Sequence, residues 1–372
     1  MGTELQPLQA DKPDQLQERP LLKSEEENSG QITPEDLSEL EKRFAAYVRK
    51  DLYGSMGHGE LPLAEKIKIG VAMVTLVPAR VVSGILLLVV YYAVCRVCTL
   101  MKRPDEPAGE DGQDGYAHLR GWRRKVLVGS GRVLARLMLV VFGFYWIPVT
   151  HRSRTEDPSK AQQREEQRPG AIVSNHVSYI DILYHMSSSF PSFVAKRSVG
   201  KLPLVGIISK CLGCVFVQRE SKSSEFKGVA GMVTERVGEA HQNEEAPMMM
   251  LFPEGTTTNG EYLLPFKTGA FLSKAPVHPV ILKYPYQRFS PAWDSMSGAR
   301  HVIFLLCQFV NHMEVTYLPV YCPSQEEKDD AKLYASNVRR LMAMEGDFIM
   351  SDIGLPEKRV YHNALNGLVC QG

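Results

Sequence analysis

The 372-residue chain contains no Gly-x-Ser-x-Gly turn. A hydrolase that raises its serine on that strained elbow is therefore not expected. Neither sign of charge prevails: 43 Lys and Arg stand against 42 Asp and Glu, and no basic stripe interleaved with aromatics occurs. No nucleic-acid partner is expected, because a phosphate backbone is met by concentrated positive charge. The sequence has no Asn-x-Ser/Thr sequon, and its seven cysteines are an odd number. Both fit a soluble part that faces a reducing cytosol. Cys95/Cys98 and Cys211/Cys214 are Cys-x-x-Cys pairs more than a hundred residues apart, with no histidine at zinc spacing. Reduced, packed thiols are expected there, and no metal. Met1 leads into Gln, Pro, Asp and Glu rather than a basic and then an apolar stretch, so no secretory signal is expected.

Apolar residues make up 44% of the chain but are unevenly spread. Residues 1 to about 40 are polar and acidic and cannot bury enough surface to offset ordering entropy. Thr33-Pro34-Glu35-Asp36 reads as a helix start, running to about Leu52. Ile69 to Cys95 is strongly apolar between basic flanks, and as one helix would reach about 40 Å. Pro78 and Arg80 interrupt it. Either the helix spans a bilayer with a tolerated arginine, or it bends near Pro78 and lets Arg80 find a polar partner. Val126 to Pro148 carries Arg132 and Arg136 on one helical face and reads as an interfacial helix or one packed on the domain.

From Ala171 onward short apolar runs alternate with helical patterns. Ala171–Val173, Phe193–Ala195, Val215–Val217, Met248–Phe252, Val280–Leu282 and Val315–Val320 read as strands. Segments near 178–188, 224–240, 266–275 and 325–344 read as helices. The alternation predicts an α/β fold: a mostly parallel sheet flanked by helices, with N-terminal membrane-anchoring helices. The expected division is a polar, largely disordered N-terminal region (1–60), a membrane-anchoring helical region (61–150), a catalytic domain (151–350) and a C-terminal tail (351–372).

Three polar islands interrupt this pattern. In Asn175-His176-Val177-Ser178-Tyr179-Ile180-Asp181, a potential base precedes a carboxylate by five residues. On one regular helix these side chains would point about 140° apart. His176 is therefore expected on the strand-to-helix loop and Asp181 in the helix's first turns, where it can bond one imidazole nitrogen and leave the other as a base. An unperturbed imidazole pKa near ~6.5 suits proton removal from an alcohol. A capped helix start with a surface histidine fits the same motif. His185, four residues beyond Asp181, is expected to be structural. In Gly213-Cys214-Val215-Phe216-Val217-Gln218-Arg219, Gly213 permits a tight turn, Phe216 points to one face of the strand and Arg219 falls at its end. A guanidinium there can grip phosphate, or pair with Glu220 in solvent. In Phe252-Pro253-Glu254-Gly255-Thr256, Gly255 lets backbone approach an anion, and Glu254 can accept a substrate hydroxyl or orient Arg219. Lys196 and Lys267 are possible phosphate contacts or ordinary surface lysines.

Asn-His-x-Ser-x-x-Asp, Gly-x-x-Phe-x-x-Arg and Phe-Pro-Glu-Gly-Thr, in that order and about forty residues apart, resemble the glycerolipid acyltransferase superfamily. Phe266-Lys267-Thr268-Gly269-Ala270 and Pro276 to Val280 add weaker likeness, so the resemblance covers about 170 to 285. Residues 213–220 and 252–260 are most similar to its lysophosphatidylethanolamine/lysophosphatidylcholine branch, and Arg19-Pro20-Leu21-Leu22-Lys23-Ser24 and the overall length resemble plant members of it. The resemblance implies transfer of an acyl group from acyl-CoA, as co-substrate, to the free hydroxyl of a lysophospholipid. No cofactor and no covalent intermediate are implied. His176 would be the base and Asp181 its orienting group. Gly213, Phe216, Arg219, Glu254, Gly255 and Thr256 would bind the phosphoglycerol part. A membrane partner and residence in the endoplasmic reticulum membrane, with the catalytic domain facing the cytosol, are further expectations. No Asp-x-Asp-x-Asp-Gly loop occurs, so calcium control is not implied. Rival readings are acylation of lysophosphatidic acid or glycerol 3-phosphate, and a non-catalytic membrane lipid-binding protein. Head group, acyl preference and oligomeric state are not legible.

Overall fold

Five strands ending on a common edge organise the protein. The computed structural model describes residues 34–100, 119–153, 168–217 and 223–369. Its strands are β1 (Val149–His151), β2 (Ala171–Ser174), β3 (Ser192–Lys196), β4 (Val215–Val217), β5 (Met249–Leu251), β6 (Tyr262–Leu263), β7 (Val277–Lys283), β8 (Glu314–Tyr317) and β9 (Ile349–Met350). Seven form one sheet in the order β1-β8-β7-β2-β5-β3-β4, and β6 pairs with β9 apart from it. Strands β7, β2, β5, β3 and β4 run parallel; β8 reverses against β7, and β1 follows β8. The mostly parallel α/β sheet is therefore observed.

The helices are α1 (Pro34–Arg43), α2 (Leu63–Val74), α3 (Leu76–Thr99), α4 (Trp122–Val141), α5 (Ile180–Ser188), α6 (Val205–Cys211), α7 (Ser223–Gln242), α8 (Gly298–Cys307), α9 (Gln325–Asp329), α10 (Ala331–Gly346) and α11 (Leu355–Val369). Successive residues of β7 serve opposite faces. Val280 and Leu282 join Ile172, Ile180 and Tyr184 on one side. Val277 and Ile281 join Val237, Tyr334, Val338 and Met342 on the other. Burial on both faces explains why the central strands read as continuous apolar runs.

Two helix expectations need correction. Within 266–275 only a single turn, Thr268–Ala270, is helical. Lys267 is extended and donates its N–H to the Pro253 carbonyl, which ties this stretch to the loop after β5 instead. The 325–344 helix is two helices. Ser324 caps α9 in a reciprocal box with Glu327, and Asp330 starts α10 by accepting from the Lys332 N–H.

The N-terminal apolar run does break, one turn earlier than Pro78. Thr75, at φ −111° and ψ −64°, separates α2 from α3. A proline ring collides with the carbonyl four residues back, here Val74, where α2 ends. Arg80 is buried and donates to the carbonyls of Leu306, Gln308 and Phe309 and to the Tyr145 hydroxyl. Those carbonyls lie at the C-terminal end of α8, where cationic groups are favoured. Near its other end α3 buries Tyr91, Cys95 and Cys98. A Cβ on Gly131 of α4 would sit 2.6 Å from the Tyr91 hydroxyl, so glycine sets this close approach. Cys95 and Cys98 share one buried core with Cys211 and Cys214 of the second pair. The described cysteines are free, and no metal-holding group of three or more His, Cys, Asp or Glu occurs among the described residues.

Helix α3 is long and apolar enough to cross a membrane. Val82, Ile85, Leu86 and Val89 form its exposed side, continued by Leu63, Ile67, Val71 and Val74 on α2. Arg132 and Arg136 of α4 donate to the carbonyl of Ser189 and to those of Phe144 and Tyr145 respectively.

The two ends of the described chain meet beside the loop after β6. Phe44, Ala46, Tyr47 and Val48 form a small core with Leu264, Tyr361 and Leu365 of α11. This aromatic cluster supplies the apolar area that the neighbouring acidic composition lacks. Residues 1–33 lie outside the described residues.

Candidate active site

The chains leaving β2 and β5 run side by side, because Val173 stands in parallel register with Leu251. Beyond the strands, side chains extend the ladder. Asn175 Nδ2 donates to the Leu282 carbonyl at 2.9 Å, and its Oδ1 accepts the Leu282 N–H at 2.8 Å. The His176 N–H donates to Glu254 Oε1 at 2.8 Å, and its carbonyl accepts from the Thr258 N–H at 3.0 Å. The first and third polar islands are thus one locked unit at the carboxyl ends of the strands.

His176 lies on the loop and Asp181 in the first turn of α5, as the spacing of five predicts. His176 Nδ1 is 2.8 Å from Asp181 Oδ2. That oxygen also accepts the N–H groups of Val177 and Ser178 at 2.8 and 2.9 Å. The other oxygen, Oδ1, accepts the Tyr284 hydroxyl at 2.5 Å. The Asp181 side chain is 0% exposed, and this set of donors compensates its burial. An ionised carboxylate can only accept, so Nδ1 carries the imidazole proton and Nε2 presents its lone pair. Phe252 stacks on the imidazole with centroids 4.0 Å apart at 17°. The His176 side chain keeps 20% exposure, and its Nε2 has no hydrogen-bond partner among the described residues. A histidine oriented by a carboxylate, with one nitrogen open, can act as a general base.

Glu254 is buried, with Oε2 accepting the Leu264 N–H at 2.9 Å while Oε1 holds His176. Burial pushes its carboxyl up to about 8, against the pull of the two amide donors. Its oxygens are occupied by backbone, which makes it a staple between the two islands. Next to it Gly255 adopts φ +72°. A Cβ there would lie 2.4 Å from Lys267 Nζ, so only glycine admits this ammonium against the loop. Thr256 is half-buried and Lys267 exposed beside it. Lys196 is exposed at the end of β3, on the same sheet edge. Gly213, at φ +67°, makes the turn between α6 and β4, and Phe216 is buried against Gly200. Arg219 lies outside the described residues.

Sequence reasoning missed Tyr284, which follows β7 one residue past its end and carries no motif. It gave no role to Asn175 or Phe252, though both stood within the motifs. His185 is fully buried with neither ring nitrogen hydrogen-bonded among the described residues, and burial lowers its pKa to about 4.

An acyltransferase family profile matches residues 154–283. The lysophospholipid acyltransferase LPEAT1 of Arabidopsis thaliana is 59% identical across 100% of this chain and 98% of its own. The chain belongs to the acyltransferase family. A Drosophila melanogaster lysophosphatidylcholine acyltransferase is 34% identical over 75% of this acyltransferase, which spans about half (49%) of that longer relative. The crystal structure of a 1-acyl-sn-glycerophosphate acyltransferase from Thermotoga maritima aligns with 73% of this chain and 100% of its own, at 17% identity and a TM-score of 0.43, a likeness too low to carry weight.

Proposed function

We propose that the protein transfers the acyl group of acyl-CoA to the free hydroxyl of a lysophospholipid, lysophosphatidylethanolamine or lysophosphatidylcholine, giving a diacyl phospholipid. The observation that carries this reading is the His176–Asp181 pair, with Nδ1 fixed on a buried carboxylate and Nε2 open. Nε2 takes the hydroxyl proton as the oxygen attacks the thioester carbonyl. The C–S bond then breaks, and the departing thiolate takes the proton back from the imidazolium. Asp181 fixes the tautomer and offsets the transient charge. Gly255, Thr256, Lys267 and Lys196 are assigned to the phosphate side, Glu254 holds the loop, Gly213 and Phe216 shape the turn and strand of the second motif, and the sequence resemblance assigns phosphate binding to Arg219 as well.

The apolar faces of α2 and α3 support membrane association, where both acylated substrates reside. Buried contacts near both ends of α3 favour a helix lying along the membrane face of the domain over one leaving it to span. Residence in the endoplasmic reticulum with a cytosolic active site is part of the proposal. The test is CoA release by purified protein given one acyl-CoA and a panel of lysophospholipids plus glycerol 3-phosphate. Release is expected with the ethanolamine or choline substrates, and His176→Ala should lower it on the order of 1000-fold with membrane binding intact. Near-normal release by that variant would sink the mechanism. Release with lysophosphatidic acid alone would move the substrate.

A further inference from the structure

We infer that Tyr284 is a positioning residue for the proton transfer, holding the Asp181 carboxylate at the rotation that presents Oδ2 to His176. The inference rests on the reading of His176 as base. Asp181 Oδ2 carries three donors from its own loop. Oδ1 has the Tyr284 hydroxyl as its one partner among the described residues. Without that hydroxyl, one end of a fully buried carboxylate is unsatisfied, and the group is free to turn about its Cβ–Cγ bond.

Tyr284 is itself seated. Its ring meets Phe144 edge to face, with centroids 5.9 Å apart at 75°. Arg136 of α4 holds the Phe144 carbonyl, and Arg80 of α3 holds the neighbouring Tyr145 hydroxyl. The hydroxyl that orients Asp181 is thereby fixed through the connector between the apolar helices and the sheet. Besides Tyr284, the titratable groups around Asp181 are His176 on its loop, His185 on α5 and Glu254 after β5.

Tyr284→Phe keeps the ring on Phe144 and removes only the hydroxyl. It is expected to lower kcat on the order of 10-fold, with KM for acyl-CoA and lysophospholipid within about 2-fold. In an Asp181→Asn background the same change should add little further loss. A wild-type kcat would overturn the inference. So would a full additive loss in the double variant, or a loss explained by a smaller folded fraction in circular dichroism. If His176→Ala stays active, the proposed function fails. If it is inactive while Tyr284→Phe behaves as wild type, only the role of Tyr284 fails.

Discussion

The two sides of the site are built oppositely. On the side proposed to transfer the proton, Asp181 and Glu254 are buried and every carboxylate oxygen accepts a hydrogen bond. On the side proposed to bind the anion, Lys196 and Lys267 are exposed at strand and loop ends. A base must meet one proton within a few tenths of an ångström, so its support is rigid and desolvated. A phosphate is held by charge over a longer range, so solvent-exposed cations suffice and can tolerate different head groups.

Asp181→Asn should break this contrast most severely. The amide must turn an NH2 toward donors that need an acceptor, or lose the tautomer at His176. Transfer should fall on the order of 100- to 10,000-fold, measured as CoA release at saturating substrates. An activity within 3-fold of wild type would show that the carboxylate is dispensable.

Glu254→Gln should damage folding as much as chemistry, because one of its two amide partners then faces an NH2 group. The loss should be about 1–3 kcal/mol of unfolding free energy. Its pH dependence is sharper evidence. The carboxyl is raised from 4.5 to about 8 in the folded protein, so the folded state holds the proton more tightly than the unfolded chain does. Its contribution to stability is complete below the unfolded value and fades as pH rises through the folded one. The thermal stability of the wild type should therefore fall between about pH 5 and pH 8. Glu254→Gln should show a flatter profile, and an unchanged slope would reject the buried-carboxyl account.

On the exposed side effects should be smaller and of another kind. Lys267→Ala should raise KM for the lysophospholipid roughly 5- to 10-fold with kcat within about 2-fold, and the difference should shrink in high salt. Lys196→Ala should act in the same direction by no more than about 3-fold. A kcat loss without a KM change at Lys267 would place it on the proton-transfer side instead.

How much of this was legible follows from the range of each interaction. The spacing of five between His176 and Asp181 already required a loop-to-helix junction, because helical geometry forbids the contact otherwise. Gly255 beside a strand end already signalled a close approach, and a lysine does fill it. Pro78 left a break and a straight span both open, and the structure puts the break at Thr75. Tyr284 was invisible because it reaches Asp181 across 103 residues. Glu254 offered several roles in sequence; the parallel register of β2 with β5 assigned its oxygens to backbone.

The sequence by itself determined the alternating α/β pattern, the strand-end position of the first and third polar islands and the apolar N-terminal helices. These depend on periodicity and on residue chemistry within a few positions. Only the tertiary structure decided which donors satisfy Asp181, what Arg80 grips, and that Tyr47 and Tyr361 close one core beside the motif loop. Such partners lie far apart along the chain. They are chosen by the requirement that every buried polar group finds a partner once the sheet has closed.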